Sequence, residues 1–308
     1  MTRWTAALIL GLGSACTPKD PDPVETGDVE LDWTNATAGA VSTVVEDALA
    51  AEQIAIDDDG VLYIPDWGRG ATGGTGVVRI TPDGEAEVWQ TGFQAPVGSV
   101  FDSTGAYYVA NYNGNSVERI DVDGARTTLS EGGLLSAPCG LAVDEADNLY
   151  VANYGGNSIL KITPDGEQSV FVSGLARPVA MTSGPDGSLY TAGYHDGRVW
   201  RVDLSTAETT QLGTIPAANG SAAANIVWHA ENLYVTGIGI DHVYRVRPDG
   251  EVERFAGSEN GHQDGDPDEA RFSNPNGIAV HPDGDALLVA EGQGGWHLRR
   301  IELIPAVL

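Results

Sequence analysis

Lysine is almost missing from this chain. Of 308 residues only Lys19 and Lys161 are lysines, and Lys and Arg together number 16 against 44 Asp and Glu. A net charge of -28 speaks against nucleic acid as a partner, because phosphate binding depends on clustered cations. Nine Asp-Gly steps recur along the chain, where the carboxylates supply turn chemistry and solubility. Cysteine is equally scarce. Only Cys16 and Cys139 are present, too few for a zinc-spaced set, and Pro138-Cys-Gly140 offers no base or cation to activate a thiol, so Cys139 reads as a small buried residue. Past the first residues no apolar run is long enough to cross a bilayer as a helix. No phosphate-cradling glycine loop and no Gly-x-Ser-x-Gly elbow occurs.

What the chain has is a repeat. Leu141-Ala-Val-Asp144 leads through a turn into Leu149-Tyr-Val-Ala-Asn153 and on to Ser158-Ile-Leu-Lys-Ile162 and Thr163-Pro-Asp-Gly166. The same phrases return at Ile54 to Asp66, Val100 to Asn111, Ser188 to Ala192, Asn232 to Thr236 and Ile278 to Ala290. A period of roughly 40 to 50 residues holding three or four short strands marks a propeller blade. The expected fold is all-β: a six-bladed β-propeller of four-stranded antiparallel blades, its apolar residues shared between adjacent blades rather than gathered at one centre. Asp58-Asp-Gly60 and Pro185-Asp-Gly187 sit between first and second strands, and Thr81-Pro-Asp-Gly84 and Thr163-Pro-Asp-Gly166 between third and fourth. Both sets place these turns on one rim and leave the longer, variable loops on the other.

The sixth repeat lacks an outer strand after Leu298-Arg-Arg-Ile-Glu302. A ring left open would expose unpaired backbone groups, so Ser42 to Glu46 is expected to complete the last blade. Upstream, residues 1–15 read as a signal peptide, with Arg3 before an apolar Trp4 to Leu12 and a small-residue cleavage site. Residues 16–40 read as an acidic, proline-rich tether and 41–308 as the propeller. Gly13-Ser-Ala-Cys16 resembles a bacterial lipobox, with Gly13 where that motif prefers Leu. The resemblance implies lipidation at Cys16, a membrane contact by lipid anchor only, and residence in the bacterial cell envelope at the outer membrane. Cleavage by an ordinary signal peptidase would instead leave a secreted protein.

Gly261-His-Gln-Asp-Gly265, Glu269-Ala-Arg-Phe272 and Asn274-Pro-Asn-Gly-Ile-Ala-Val280, with Ala95-Pro-Val-Gly98 and Ala137-Pro-Cys-Gly140, resemble NHL-repeat propellers. These are relatives of the SMP-30/gluconolactonase-like and streptogramin-lyase-like propellers. The resemblance implies the fold, and for function mostly an interaction platform, with enzymes among the relatives. The gluconolactonase-like group holds a divalent cation over the central channel. The matching positions here are Glu52, Val97, Cys139, Val179, Ala224 and Asn276, of which only Glu52 and Asn276 are weak candidate ligands, so no cofactor is expected except Ca or Mg under the enzyme alternative. The streptogramin-lyase-like group uses a His base beside a metal-binding Glu. The nearest pairs are Glu291 with His297 and His195 with Asp196.

A third pattern is aromatic. Trp67, Tyr112, Tyr154 and Tyr194 follow the second strand of four successive repeats, with Ile238 and Gly292 in the same places of the last two. They suit either packing against neighbouring loops or a stacking platform at the channel mouth for a sugar ring or peptide. Arg69, Arg177, His195 and Asp241 are the candidate polar contacts. The expected role is binding of a protein, peptide or glycan. The alternative is a metal-dependent hydrolase or a lyase acting at the mouth.

Overall fold

In the computed structural model, which describes residues 30–68, 70–293 and 295–307, six four-stranded antiparallel sheets follow one another along the chain. Five are built in sequence order, within residues 55–91, 96–131, 138–173, 178–214 and 223–256. Each innermost strand lies at the axis and each outermost at the periphery. The third blade is representative: Pro138–Val143, Leu149–Asn153, Ser158–Ile162 and Gln168–Ser173. Its second strand is buried on both faces, because each blade is covered on both sides by a neighbour.

The sixth sheet takes Pro275–Val280, Ala286–Glu291 and Leu298–Val307 from the end of the chain and Leu31–Val45 from its beginning. The closure expected from Ser42 to Glu46 is present, with Val41 opposite Ile301 and Ser42 opposite Arg300. It is also longer than expected. Residues 31–40, read from sequence as tether, continue the ladder to a Leu31–Val307 pair through register shifts between Asp32 and Thr37 and between Ala38 and Val41. Ala36 and Val41 are buried in the seam between the fifth and sixth blades. Residues 1–29, with the signal peptide and Cys16, and Arg69 lie outside the described residues.

The core is divided as the repeat implied. Six clusters occupy the six seams; Leu141, Leu149 and Leu160, for example, pack with Tyr108 and Val117 of the preceding blade. Innermost strands approach backbone to backbone. A Cβ on Gly98 would lie 2.0 Å from the Cys139 carbonyl oxygen, and one on Gly277 2.2 Å from that of Glu52, so only glycine permits this spacing. At the turn rim, Asp102 Oδ1 accepts from the Thr104 and Ala106 amides, and Asp144 Oδ1 from those of Ala146 and Asn148. Burial alone would raise both carboxyls; these bonds and the Tyr108 and Tyr150 hydroxyls outweigh it and hold them below the usual carboxylate range. The opposite rim carries the longer loops.

Candidate ligand-binding site at the channel mouth

On the loop rim the axis opens into a cup of about 230 Å³. All six positions matched from sequence line it: Glu52, Val97, Cys139, Val179, Ala224 and Asn276. The four aromatic residues stand above them, with Ile238 and Gly292 completing the ring. Beneath the cup Gln53 bridges the innermost strands of the first three blades. Its amide donates to Leu141 O at 3.0 Å, and its Oε1 accepts from the Leu141 amide at 3.0 Å and the Ser99 amide at 3.3 Å.

The rings are placed by a repeated backbone device. Ala95, Arg177 and Asn274, each just before the proline that starts an innermost strand, have φ of 53°, 48° and 56°. This left-handed conformation is uncommon without glycine. It turns their carbonyls toward the next loop, where the amides of Tyr112, Tyr194 and Gly292 donate to them at 3.0, 3.0 and 2.9 Å. Side chains ending the second strands brace the same loops. Asp66 accepts from the Gly68, Gly70 and Thr72 amides, and Asn111 and Asn153 accept from the Gln94 and Ser136 amides.

The two readings of the aromatic residues are compatible. Trp67 meets Tyr112 edge-on at 6.1 Å, Tyr112 meets Tyr154 at 5.9 Å, and Tyr154 meets Tyr194 at 5.9 Å. Each ring therefore packs on its neighbour in an edge or tilted arrangement while keeping part of its surface on the cup. Burial pushes the Tyr112 phenol up, which keeps it a donor. Burial first, then the charge of Glu52, pushes the Cys139 thiol up as well, so it stays protonated and unreactive.

The polar candidates divide. Arg177 Nη1 donates to Tyr154 Oη at 2.9 Å, with its guanidinium carbon 5.1 Å from the centre of that ring. His195 Nε2 is 3.2 Å from both Tyr154 Oη and Arg177 Nη1, and its Nδ1 bonds Gly220 O. Donation from Nδ1 to that carbonyl leaves Nε2 as the acceptor. Arg177 and His195 thus form an outer buttress of the arc and do not line the cup. Asp241 is not brought to the mouth; its Oδ1 accepts from the Asn274 amide at 2.9 Å. Glu291 and His297 meet only through the backbone, the Glu291 amide donating to His297 O at 2.9 Å, and the side-chain pair suggested by the lyase resemblance does not form. Glu291 Oε2 instead lies 3.1 Å from His262 Nδ1, and His297 lies 3.3 Å from Glu46. Nor does His195 pair with Asp196, which lies against Arg198. Sequence reasoning missed Trp296 as a wall of the cup; with a φ of 57° it lines the mouth and also packs against the seam between the sixth and first blades.

The donor set does not suit a calcium ion over the channel. At the six matched positions it comprises one carboxylate, Glu52, and one amide, Asn276, which accepts at 3.2 Å from the amide of neighbouring Asn225. Val97, Val179 and Ala224 present methyl groups where calcium needs six to eight oxygens. What the mouth offers is mixed: aromatic rings from the first to fourth and sixth blades with methyl groups between them, and Glu52, Asp66, Asn225, Asn274 and Asn276 on the first, fifth and sixth.

Known proteins share this architecture. The chain aligns over 82% of its length and 80% of the other with a catalytically inactive His-to-Ala variant of virginiamycin B lyase from Staphylococcus aureus with quinupristin, at 22% identity and a TM-score of 0.63. A gluconolactonase from Xanthomonas campestris shows 15% identity and a TM-score of 0.66 over 87% and 97% of the two chains. An auxiliary nutrient binding protein from Bacteroides thetaiotaomicron reaches a TM-score of 0.71 at 15% identity, over 88% and 77%. No curated protein matches in sequence. The model of the virginiamycin B lyase family matches residues 41–265, most of the propeller, and the chain therefore belongs to the virginiamycin B lyase family.

Proposed function

We propose that this propeller binds a ring-bearing segment of a peptide or glycan at its channel mouth and releases it unchanged. The observation that carries this reading is the composition of the cup. Five aromatic side chains, Trp67, Tyr112, Tyr154, Tyr194 and Trp296, line it together with the carboxylates of Glu52 and Asp66 and the amides of Asn225, Asn274 and Asn276, and no histidine is among its described lining residues. The S. aureus relative is catalytically inactive when a single histidine becomes alanine; His195, which packs against the cup residues Tyr154 and Tyr194, is committed to Tyr154, Arg177 and Gly220. The family match favours the lyase reading. The missing imidazole and the poor metal donor set favour capture without turnover, in keeping with the use of the same fold by an auxiliary nutrient binding protein. A cup of about 230 Å³ is smaller than the roughly 300 to 1,000 Å³ usual for drug-sized ligands, so it takes one ring and leaves the rest of the ligand outside.

Titration of the purified chain with quinupristin and with a panel of oligosaccharides, followed by Trp fluorescence and by chromatography of the recovered ligand, tests the proposal. A bound panel member should be recovered intact. Replacing Tyr112 and Tyr154 together by Ala should weaken binding by about tenfold to a hundredfold, from about 1–3 kcal/mol for two stacking rings, with the fold retained. Conversion of the ligand by the wild-type chain would establish the lyase reading instead.

Cellular placement follows from residues 1–16. We propose export and lipidation at Cys16, which would keep the propeller at the envelope, since two or three acyl chains anchor almost permanently. Mass spectrometry of the mature N-terminus should find an acylated Cys16; an unmodified N-terminus at or near this position would mean a secreted protein.

A further inference from the structure

We propose that the seam closing the propeller holds a zinc-class divalent ion between Glu46, His262 and His297. Glu46 directly follows the closing strand Leu31–Val45, and His297 directly precedes its partner Leu298–Val307. His262 comes from the loop between the fifth and sixth blades. Their candidate ligand atoms all lie within 4.8 Å of one another.

Three observations make this a built site. The imidazoles of His262 and His297 are stacked with centroids 3.7 Å apart. Nδ1 of His297, whose side chain is 10% exposed, is buried without a hydrogen-bond partner, yet lies 3.3 Å from Glu46 Oε2. An unsatisfied ring nitrogen beside a carboxylate is costly unless a cation or proton sits between them. Finally, His262 Nδ1 faces the fully buried Glu291 at 3.1 Å. A carboxylate holding one ring nitrogen fixes the tautomer and leaves Nε2 with its lone pair, the arrangement that orients histidine ligands in metal sites. That Nε2 has the Thr43 hydroxyl nearby, at 3.3 Å.

Charge favours a dication. Glu46, Asp264 and Glu291 surround the cluster, and the adjacent guanidinium of Arg299 is already paired to Asp264 at 2.8 Å and Glu291 at 3.0 Å. Two imidazoles and one carboxylate suit zinc with water in the fourth position, whereas calcium and magnesium require oxygen donors throughout. The ion would tie the start of the folded chain to its last strand at the point where the ring is sealed.

The test uses the purified chain, zinc chloride and a chromogenic competing chelator. The wild type should bind one zinc, with a melting temperature that rises by several degrees as zinc saturates, and hydrogen exchange at residues 41–45 should slow. Glu46→Ala alters an 81% exposed side chain and should leave the metal-free fold unchanged. It and His262→Ala should each lower zinc affinity by roughly a hundredfold or more, since even outer groups of such sites are worth 10–100-fold. No zinc binding by the wild type would overturn the proposal. So would binding that survives in the double variant, which would put the ion at a cysteine or at the His281, Asp283 and Asp285 turn, and so would binding without slower exchange at residues 41–45.

Discussion

Deleting residues 1–45 is expected to abolish the folded propeller, whereas deleting residues 1–29 leaves it intact. The strand Leu31–Val45 is the fourth of its sheet, and without it Leu298–Val307 becomes an open edge. Exposed edges of this length pair with other chains. The loss extends beyond the ladder, because the strand also holds the fifth blade. Asn232 Nδ2 donates to Thr34 O at 2.8 Å, and the buried guanidinium of Arg245 donates to Ala36 O. Removing the strand deletes both hydrogen bonds, each worth about 0.5–1.5 kcal/mol and more for the charged donor, in addition to the apolar seam around Val41. Size-exclusion chromatography and near-UV circular dichroism should show aggregate or unfolded chain for the longer deletion. A peptide of residues 30–46 added in trans should restore the monomer by strand addition. A folded monomer from the longer deletion alone would show that five complete blades and an incomplete sixth suffice.

Arg299→Met should destabilise the propeller by about 3–5 kcal/mol, the usual cost of leaving one partner of a buried ion pair alone. Arg299 and Glu291 are both fully buried and 3.0 Å apart. The guanidinium also donates to Arg271 O and Gln263 O and lies 5.1 Å from the centre of the Phe272 ring. Burial pushes the Glu291 carboxyl above its ordinary 4.5, and Arg299, the Ser273 amide and His262 draw it back. Without Arg299 the carboxyl rises further. A group with a raised native pKa contributes stability below its unfolded value that is lost as pH rises through the native one. The deficit of Arg299→Met should therefore be small near pH 4.5 and grow toward neutrality. Replacing Glu291 as well by Leu should recover part of the loss, since a buried pair is often matched by apolar residues of similar size. Denaturant melts across that pH range measure all of this. Arg254→Ala, which breaks a pair with side chains 44% and 87% exposed, serves as the control and should cost under about 1 kcal/mol. An Arg299→Met deficit no larger than the control, or independent of pH, would refute this account.

The blade count, the turn rim and the closing of the ring were legible because they rest on local patterns repeated six times. Alternation, Asp-Gly turns and the missing outer strand are each visible within a few residues. Residues 31–40 were not legible as a strand. Asp32-Trp-Thr-Asn-Ala-Thr-Ala-Gly-Ala40 is low in β-branched residues, and its ladder carries register shifts, so its extended form comes from the partner strand rather than from its own propensity. The six cup positions and the four aromatic residues were found by aligning repeats, which superimposes what rotation about the axis superimposes. Contacts between dissimilar loops escape that approach. His262 meets Glu291 across 29 positions, and Gln53 reaches Leu141 across 88, distances at which one sequence carries no signal.

The Gln53 bridge bears on how a ligand would come and go. With Gln53 tying the first blade to the second and third beneath the cup, a ligand entering from the loop rim would leave by the same door. Under the proposed binding role, a long molecule would seat only an end or a protruding tip, its remainder trailing into solvent, and the propeller would read termini and branches rather than uninterrupted chains.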